Sequence, residues 1–368
     1  MPRVIISGGG TGGHVFPAIA IADAIMAVAP DSEILFVGAK GKIEMEKVPK
    51  AGYKIEGLNI AGFQRSFTWR NFLFPFKLMG SMIQALKITY GFKPQVAVGV
   101  GGYASGPVLR IANSMSIPTV LQEQNSFAGI TNRILAAKAS CICVAYDGME
   151  KFFPKDKIKF TGNPVRKDIL ENIINQDEAL KTLGLHQNKK TILIFGGSLG
   201  ARTINEAVLA NTDSIAGRSD INIIWQVGKL YYDSLKDCTL ASCEHVRLLP
   251  FIDNMDIAYS AADIVICRAG ALTISELAVL GKASILIPSP NVAEDHQTVN
   301  AQSLVDRNAA ILVKDTDVKT ILFTEADALL SNQDRINDLQ QNIRYFARPE
   351  AAIKIAAEIL KICTKSVA

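Results

Sequence analysis

The chain lacks most of the patterns that assign a function at once. Its formal charge is +4, from 39 basic and 35 acidic residues, a field too weak to argue for a nucleic-acid partner. No RNA- or DNA-reading motif and no long basic run is present. The six cysteines, at 141, 143, 238, 243, 267 and 363, form no Cys-x-x-Cys pair, which leaves neither a zinc site nor a thioredoxin-like redox motif supported. Cys141, Cys143 and Cys267 fall in apolar runs and are expected in the core. No uncharged apolar run is long enough to cross a bilayer; the nearest, residues 95–109, is rich in glycine. The first residues lead into a strand with no signal-peptide pattern, so a cytoplasmic, non-spanning protein is expected. One Asp-x-Asp occurs, Asp315-Thr316-Asp317. Its place after the last strand, opening a helical stretch, reads as a cap, and neither a metal nor a cofactor is expected.

What the chain has is a regular alternation of short Val/Ile/Leu-rich runs with helical stretches. Strands are expected at 4–7, 33–37, 96–100, 118–121, 141–146 and 157–160, and again at 191–195, 221–226, 246–249, 264–267, 284–287 and 310–313. Apolar runs without polar alternation suit parallel strands covered on both faces, and strand–helix alternation predicts doubly wound α/β sheets. A length of 368 residues fits two such domains. The joint is placed in Thr161-Gly162-Asn163-Pro164-Val165-Arg166, where Pro164 pushes Asn163 out of the helical region and Gly162 frees the turn. The expected domains are 1–162 and 163–346, with a helix at about 347–364 returning to the first.

Two glycine-rich turns carry the chemistry. Gly8-Gly9-Gly10-Thr11-Gly12-Gly13-His14 follows Val4-Ile5-Ile6, and Gly196-Gly197-Ser198-Leu199-Gly200-Ala201-Arg202 follows Thr191–Phe195. Strand, glycine turn and helix start together bring backbone N–H groups close to a phosphate or diphosphate. Two such units predict two similar halves facing a cleft. Gly8, Gly10 and Gly13 also satisfy G-x-G-x-x-G, which keeps a dinucleotide-binding enzyme open. That reading needs an acid at the end of the second strand for a ribose, and Phe36-Val37-Gly38-Ala39-Lys40 has none; Lys40 leaves an NADP-dependent oxidoreductase as the version to consider. His14 sits at a helix start, where the positive helix end disfavours imidazolium and a neutral ring can act as a general base. Ordering the glycine turn is its other possible role.

In the second half, Cys267-Arg268-Ala269-Gly270-Ala271-Leu272-Thr273-Ile274-Ser275-Glu276 reads as strand end, glycine, helix start and carboxylate. Amides at Ala271, Leu272 and Thr273 can face a diphosphate, and Glu276 can accept from two ribose hydroxyls. Solvated surface acid is the alternative for Glu276. Asp295-His296-Gln297 follows a strand end, with Asp295 a helix cap and Gln297 suited to sugar hydroxyls. Residues 63–77 break the pattern. Phe63, Phe67, Trp69, Phe72, Phe74 and Phe76 stand there with Arg65, Arg70 and Lys77 and no acid. Rings and cations together suit an anionic membrane surface; a loop capping the core is the plain alternative.

Taken in order, Gly9-Gly10-Thr11-Gly12-Gly13-His14, Gly101-Gly102-Tyr103-Ala104-Ser105-Gly106-Pro107, Glu123-Gln124-Asn125, Gly162-Asn163-Pro164-Val165-Arg166, Gly196-Gly197-Ser198 and Ala269-Gly270-Ala271-Leu272-Thr273 resemble the bacterial MurG family over nearly the whole chain. The resemblance implies a GT-B fold, two Rossmann-like domains separated by a cleft. It implies an inverting transferase that moves N-acetylglucosamine from UDP-N-acetylglucosamine to the muramoyl 4-hydroxyl of lipid I, giving lipid II for peptidoglycan. It also implies a peripheral protein at the cytoplasmic face of the bacterial inner membrane. By similarity the donor touches Thr11, Gly12, Gly13, Asn125, Arg166, Ser198, Ile252, Glu276 and Gln297, with the Ile252 backbone at uracil. The acceptor lies near Gly10, Gly101, Gly102 and Tyr103, and His14 is the base. Gln122 and Leu199 depart from the family's usual histidine and glutamine. Three alternatives stay open: another glycolipid acceptor, a UDP-sugar epimerase, and the NADP oxidoreductase.

Overall fold

The computed structural model describes residues 1–60, 74–292 and 295–365. Two compact units form, Met1–Arg166 with Arg348–Ala368, and Lys167–Ala347. The first runs β1 (Arg3–Ser7), α1 (Gly12–Val28), β2 (Glu33–Ala39), α2 (Glu44–Lys50), β3 (Lys54–Leu58), α3 (Phe74–Phe92), β4 (Val96–Gly99), α4 (Ser105–Ser114), β5 (Thr119–Glu123), α5 (Ile130–Ala136), β6 (Cys141–Val144) and β7 (Ile158–Phe160). The second runs α6 (Lys167–Glu171), α7 (Gln176–Leu183), β8 (Lys190–Phe195), α8 (Arg202–Ala210), α9 (Thr212–Ala216), β9 (Ile221–Gln226), α10 (Lys229–Leu235), β10 (Val246–Leu249), α11 (Met255–Ala261), β11 (Ile264–Cys267), α12 (Ala271–Leu280), β12 (Ala283–Leu286), α13 (His296–Val305), β13 (Ile311–Leu312), α14 (Val318–Leu330) and α15 (Gln333–Ile343). The last helix, α16 (Ala351–Lys365), rejoins the first unit.

Both sheets are parallel, in the orders β3-β2-β1-β4-β5-β6-β7 and β10-β9-β8-β11-β12-β13. Strand order reverses between β1 and β4 in the first and between β8 and β11 in the second. Such switch points are where ligands of open α/β sheets bind, outside the carboxyl ends of the strands. The first glycine turn and Gly101-Gly102-Tyr103 leave β1 and β4. The second glycine turn and Arg268–Glu276 leave β8 and β11. Each pair therefore opens at its own sheet's switch point.

Period-two burial divides the first unit's core. Val4 and Ile6 of β1 pack with Ile21 and Ile25 of α1 and with Ile355 and Ile359 of α16. Ile5, on the other face, packs with Leu109 and Leu121. The second unit's core gathers Ile192, Ile194, Trp225 and Ile266. Full burial of such side chains contributes about 1.5–3 kcal/mol each. Cys141, Cys143 and Cys267 are buried, and all six cysteines are free thiols. The one described strand that the apolar-run search misses is β3, an edge strand of the sheet. Its sequence Lys-Ile-Glu-Gly-Leu alternates exposed and half-buried positions and offers no continuous apolar run.

Candidate active site

At the first switch point Thr11 holds the N-cap position of α1 with an extended backbone, and its side chain makes no cap bond. Its carbonyl accepts from the His14 and Val15 N–H groups instead. Thr11 Oγ1 lies 3.3 Å from His14 Nδ1. The other ring nitrogen faces the turn after β4: a Cβ on Gly101 would stand 2.9 Å from His14 Nε2. Gly101 is glycine because the imidazole occupies its side-chain space. Gly102, at φ +83°, presses against Gly9 so closely that a Cβ there would overlap the Gly9 carbonyl. The two turns are thus in backbone contact, and Tyr103 stands half-exposed beside them.

The Gly10 N–H, expected to face an acceptor phosphate, donates to Glu44 Oε2 at 2.9 Å. The turn's first amide is engaged by the chain's own carboxylate.

Beyond β5, Glu123 organises the approach to Asn125. It accepts from the Asn125 and Gly129 N–H groups at 3.1 and 3.0 Å and from Asn132 Nδ2 at 2.9 Å. Burial pushes its carboxyl up, against the opposing pull of these bonds. Gln122, where a family side-chain role was in doubt, is fully buried and belongs to an amide chain. Gln124 Nε2 donates to Val100 O and to Gln122 Oε1; Gln122 Nε2 donates to Asn163 Oδ1; Asn163 Nδ2 donates to Gln124 O. Because both ends meet backbone carbonyls, which only accept, the orientation of all three amides follows. The chain anchors the 162–166 segment, and the Arg166 guanidinium lies 4.9 Å above the Phe16 ring of α1.

At the second switch point, Gly200 and Gly228 pack backbone to backbone, fixing the turn that carries half-buried Ser198 and exposed Leu199. Gln226 Nε2 tethers the same turn through Gly197 O at 3.2 Å. Gly270 caps α12 by position, so Ala271, Leu272 and Thr273 begin the helix at the end of β11. Glu276 stands half-buried one turn on, and fully buried Tyr259 donates to its Oε2 at 2.9 Å. Gln297 Oε1 accepts from Ser289 N–H at 2.8 Å, which directs its amide from the β12 side. Ile252 is buried.

The two expected caps hold their N-cap positions but make no side-chain bond to the helix backbone. Asp295 occupies the N-cap position of α13 in a left-handed conformation without a side-chain bond to the helix backbone; its Oδ1 accepts from the Thr298 hydroxyl at 2.6 Å. Asp317 precedes α14 without a side-chain cap bond. Asp315 is an ion-pair partner of Arg268, which also donates to Thr203 Oγ1 and to the Ile287 and Pro288 carbonyls, tying β11, β12 and α8 together. Asp295 pairs with Thr298 three residues on, whereas Asp315 is not explained by local sequence, because its partners Arg268 and Thr203 lie in other elements. Tyr259 and Glu44 are functional candidates that sequence reasoning missed for the same reason. The expected membrane stretch lies outside the described residues from 63 to 73.

Residues 4–144 match the glycosyltransferase family 28 N-terminal domain and residues 191–355 its C-terminal domain. The chain is 52% identical over 366 residues to the UDP-N-acetylglucosamine--N-acetylmuramyl-(pentapeptide) pyrophosphoryl-undecaprenol N-acetylglucosamine transferase of Bacteroides fragilis, covering 99% of this chain and 96% of that protein. It superposes on the crystal structure of Acinetobacter baumannii MurG with a TM-score of 0.74 and 28% identity, covering 98% and 100% of the two chains. The UDP-N-acetylglucosamine 2-epimerase of Neisseria meningitidis shares the fold alone, with a TM-score of 0.67 and 15% identity over 98% and 100%. Two doubly wound units, with the two family 28 domains matched over 4–144 and 191–355, give the GT-B fold, and the chain belongs to glycosyltransferase family 28.

Proposed function

We propose that this protein is an inverting transferase moving N-acetylglucosamine from UDP-N-acetylglucosamine to the muramoyl 4-hydroxyl of lipid I, giving lipid II. The observation that carries this reading is 52% identity across 99% of the chain to a relative named for that transfer. The geometry supports it part by part. In the second unit, the α12 amides and Ser198 suit the diphosphate, Glu276 the ribose, the Ile252 backbone the uracil and Gln297 the sugar. In the first unit, His14 is the base, Thr11, Gly12, Gly13 and Asn125 are assigned to the donor, and Gly10 with the Gly101–Tyr103 turn is assigned to the acceptor end.

The chemistry follows from the ring's two contacts. With Nδ1–H donated to Thr11 Oγ1, His14 Nε2 presents a lone pair on the Gly101 side. The acceptor oxygen forms its bond to the anomeric carbon while the bond from that carbon to the diphosphate oxygen breaks. The proton goes to Nε2 and the electron pair leaves with UDP. Amides at the head of α12, with the Arg166 guanidinium, are assigned to the growing charge. The experiment supplies lipid I, labelled UDP-N-acetylglucosamine and a chelator, and follows label into extractable lipid. Label in lipid only with lipid I supports the reading. Donor consumption without acceptor, or transfer only to a diacylglycerol, sinks it.

Peripheral attachment to the cytoplasmic face of the inner membrane belongs to the same reading. Among the described residues no helix is long and apolar enough to cross a membrane. Met79, Ile83, Leu86 and Tyr90 form an exposed stripe on α3 at helical spacing, and Ile130 and Ile134 of α5 are exposed too. Lys77, Lys87 and Arg133 are exposed on the same two helices. An apolar stripe with basic neighbours fits an anionic lipid surface. Met79→Ser/Ile83→Ser is expected to leave flotation with anionic vesicles sharply reduced; unchanged flotation removes α3 from the attachment.

A further inference from the structure

Glu44 has no place in the reaction as assigned, yet it is one of the most deliberately enclosed acids in the chain. It is 1% exposed at the head of α2. Oε1 accepts from the Ala39 N–H at 2.9 Å and Oε2 from the Gly10 N–H at 2.9 Å. Among the described residues no lysine or arginine pairs with it. An unpaired buried carboxylate is costly, so its retention needs a reason beyond packing. The surrounding glycines supply one. A Cβ on Gly9 would overlap the Glu44 carboxylate, and one on Gly38 would stand 2.5 Å from Glu44 Cγ. On its other side Gly9 is pressed by Gly102. The glycines of β2 and of the first turn make room for this acid.

We infer that Glu44 is a built-in anion, occupying the first glycine turn in the manner of a bound phosphate, and a positioning residue for His14. The path is continuous. Glu44 holds Gly10; the next residue, Thr11, takes the His14 and Val15 N–H groups on its carbonyl and meets His14 Nδ1 with its hydroxyl. Gly9, fixed by Glu44, sets Gly102, and neighbouring Gly101 borders the imidazole. The carboxylate also bars a second anion from the Gly10 amide, by filling the space and by like charge. A substrate diphosphate at this turn is confined to amides from Gly12 onward.

The turnover part of the test rests on the transferase reading; the binding part does not. Glu44→Gln keeps the shape but turns a donor toward a donor at one of the two amides. It is expected to lower kcat about ten- to a hundred-fold, the scale of a small misplacement at the reacting centre. The KM for UDP-N-acetylglucosamine should stay within about two-fold, since uniform donor binding is untouched. Glu44→Ala leaves both amides and a carboxylate-sized gap. Formate or acetate is expected to restore part of its turnover saturably, whereas formamide, acetamide and chloride are not. Glu44→Gln at wild-type kcat, or Glu44→Ala folded and unresponsive to carboxylates, overturns the inference. Wild-type protein gives a measurement free of both folding and turnover: hydrogen exchange of the peptide spanning Gly9 to Thr11 with and without inorganic pyrophosphate. The Gly10 amide is expected to be already protected and to gain nothing; added protection there means an open anion seat and refutes the built-in one. If wild-type enzyme transfers no sugar, the transferase reading fails while this exchange result still decides Glu44.

Discussion

Replacing Tyr259 by phenylalanine removes one oxygen from the second unit and leaves the ring where it is. That ring is fully buried and meets Phe195 edge-on, with centroids 6.2 Å apart, so packing is retained. What is lost is the donor 2.9 Å from Glu276 Oε2. A hydrogen bond to a charged group is worth about 1.5–3 kcal/mol, and water reaching a half-buried carboxylate recovers part of it. A net loss of about 1–1.5 kcal/mol, at 1.4 kcal/mol per decade, raises the Kd for UDP about five- to ten-fold. Glu276→Ala removes the ribose acceptors themselves and is expected to cost about a hundred-fold by the same conversion. If Tyr259 acts on the nucleotide through Glu276, the double variant should bind no worse than Glu276→Ala alone. Calorimetric titration of UDP against 2′- and 3′-deoxy analogues supplies the discriminating readout: Tyr259→Phe should narrow the preference for the ribose. Wild-type affinity in Tyr259→Phe, or fully additive losses in the double variant, refutes the link between the tyrosine and nucleotide binding.

His14→Ala is expected to lower turnover by about 10²–10⁴, the usual contribution of a general base, with UDP affinity kept; near-normal turnover in a steady-state assay removes the base assignment. Burial lowers the Lys282 ammonium to about 8, with its Nζ donating to Ala262 O at 2.8 Å. The folded value lies below the ordinary 10.5, so the unfolded chain binds more protons between them and stability rises with pH from about 8 to about 10.5, by up to about 3 kcal/mol. Lys282→Met should flatten that rise in thermal melts and raise the midpoint at pH 7; a melt as steep in the variant as in the wild type excludes the lysine. Glu123 is shifted the other way for its type, raised by burial, so the folded state holds its proton more tightly. Its contribution is full below the ordinary carboxyl value and fades as pH rises through the folded one; Glu123→Gln should remove that fall, and an unchanged acid-side stability profile counts against it.

The doubly wound fold was legible because buried parallel strands write themselves as unbroken apolar runs. Val4-Ile5-Ile6 and Ile264-Val265-Ile266-Cys267 need no partner to be read. The edge strand β3 was illegible for the converse reason, since Lys54 and Glu56 face outward. Glycine turns were visible, but what fills them was not. Glu44 reaches Gly10 across 34 positions, Tyr259 reaches Glu276 across 17, and Arg268 reaches Asp315 across 47. Nothing in local spacing distinguishes an acid that closes such a turn from one that caps a helix. At Gly10 the glycine pattern alone did not reveal the Glu44 partner, because a backbone shaped for an external anion and one shaped for an internal carboxylate need the same absence of side chains.

The chain leaves the first unit after Arg166 and comes back at Arg348, where Gly162 lacks the side chain that would collide with the returning Arg348. The second unit is therefore, in covalent terms, a 181-residue cassette (167–347) plugged into one peptide junction of its host. Truncation before α16 would strip Ile355 and Ile359 from the layer they share with Val4 and Ile21, so a fragment stopping at the junction should be sticky and poorly folded. Splicing residue 166 to 348 instead, through a short linker, should yield the host as a freestanding domain, with its amide-bonded turns and enclosed glutamate intact.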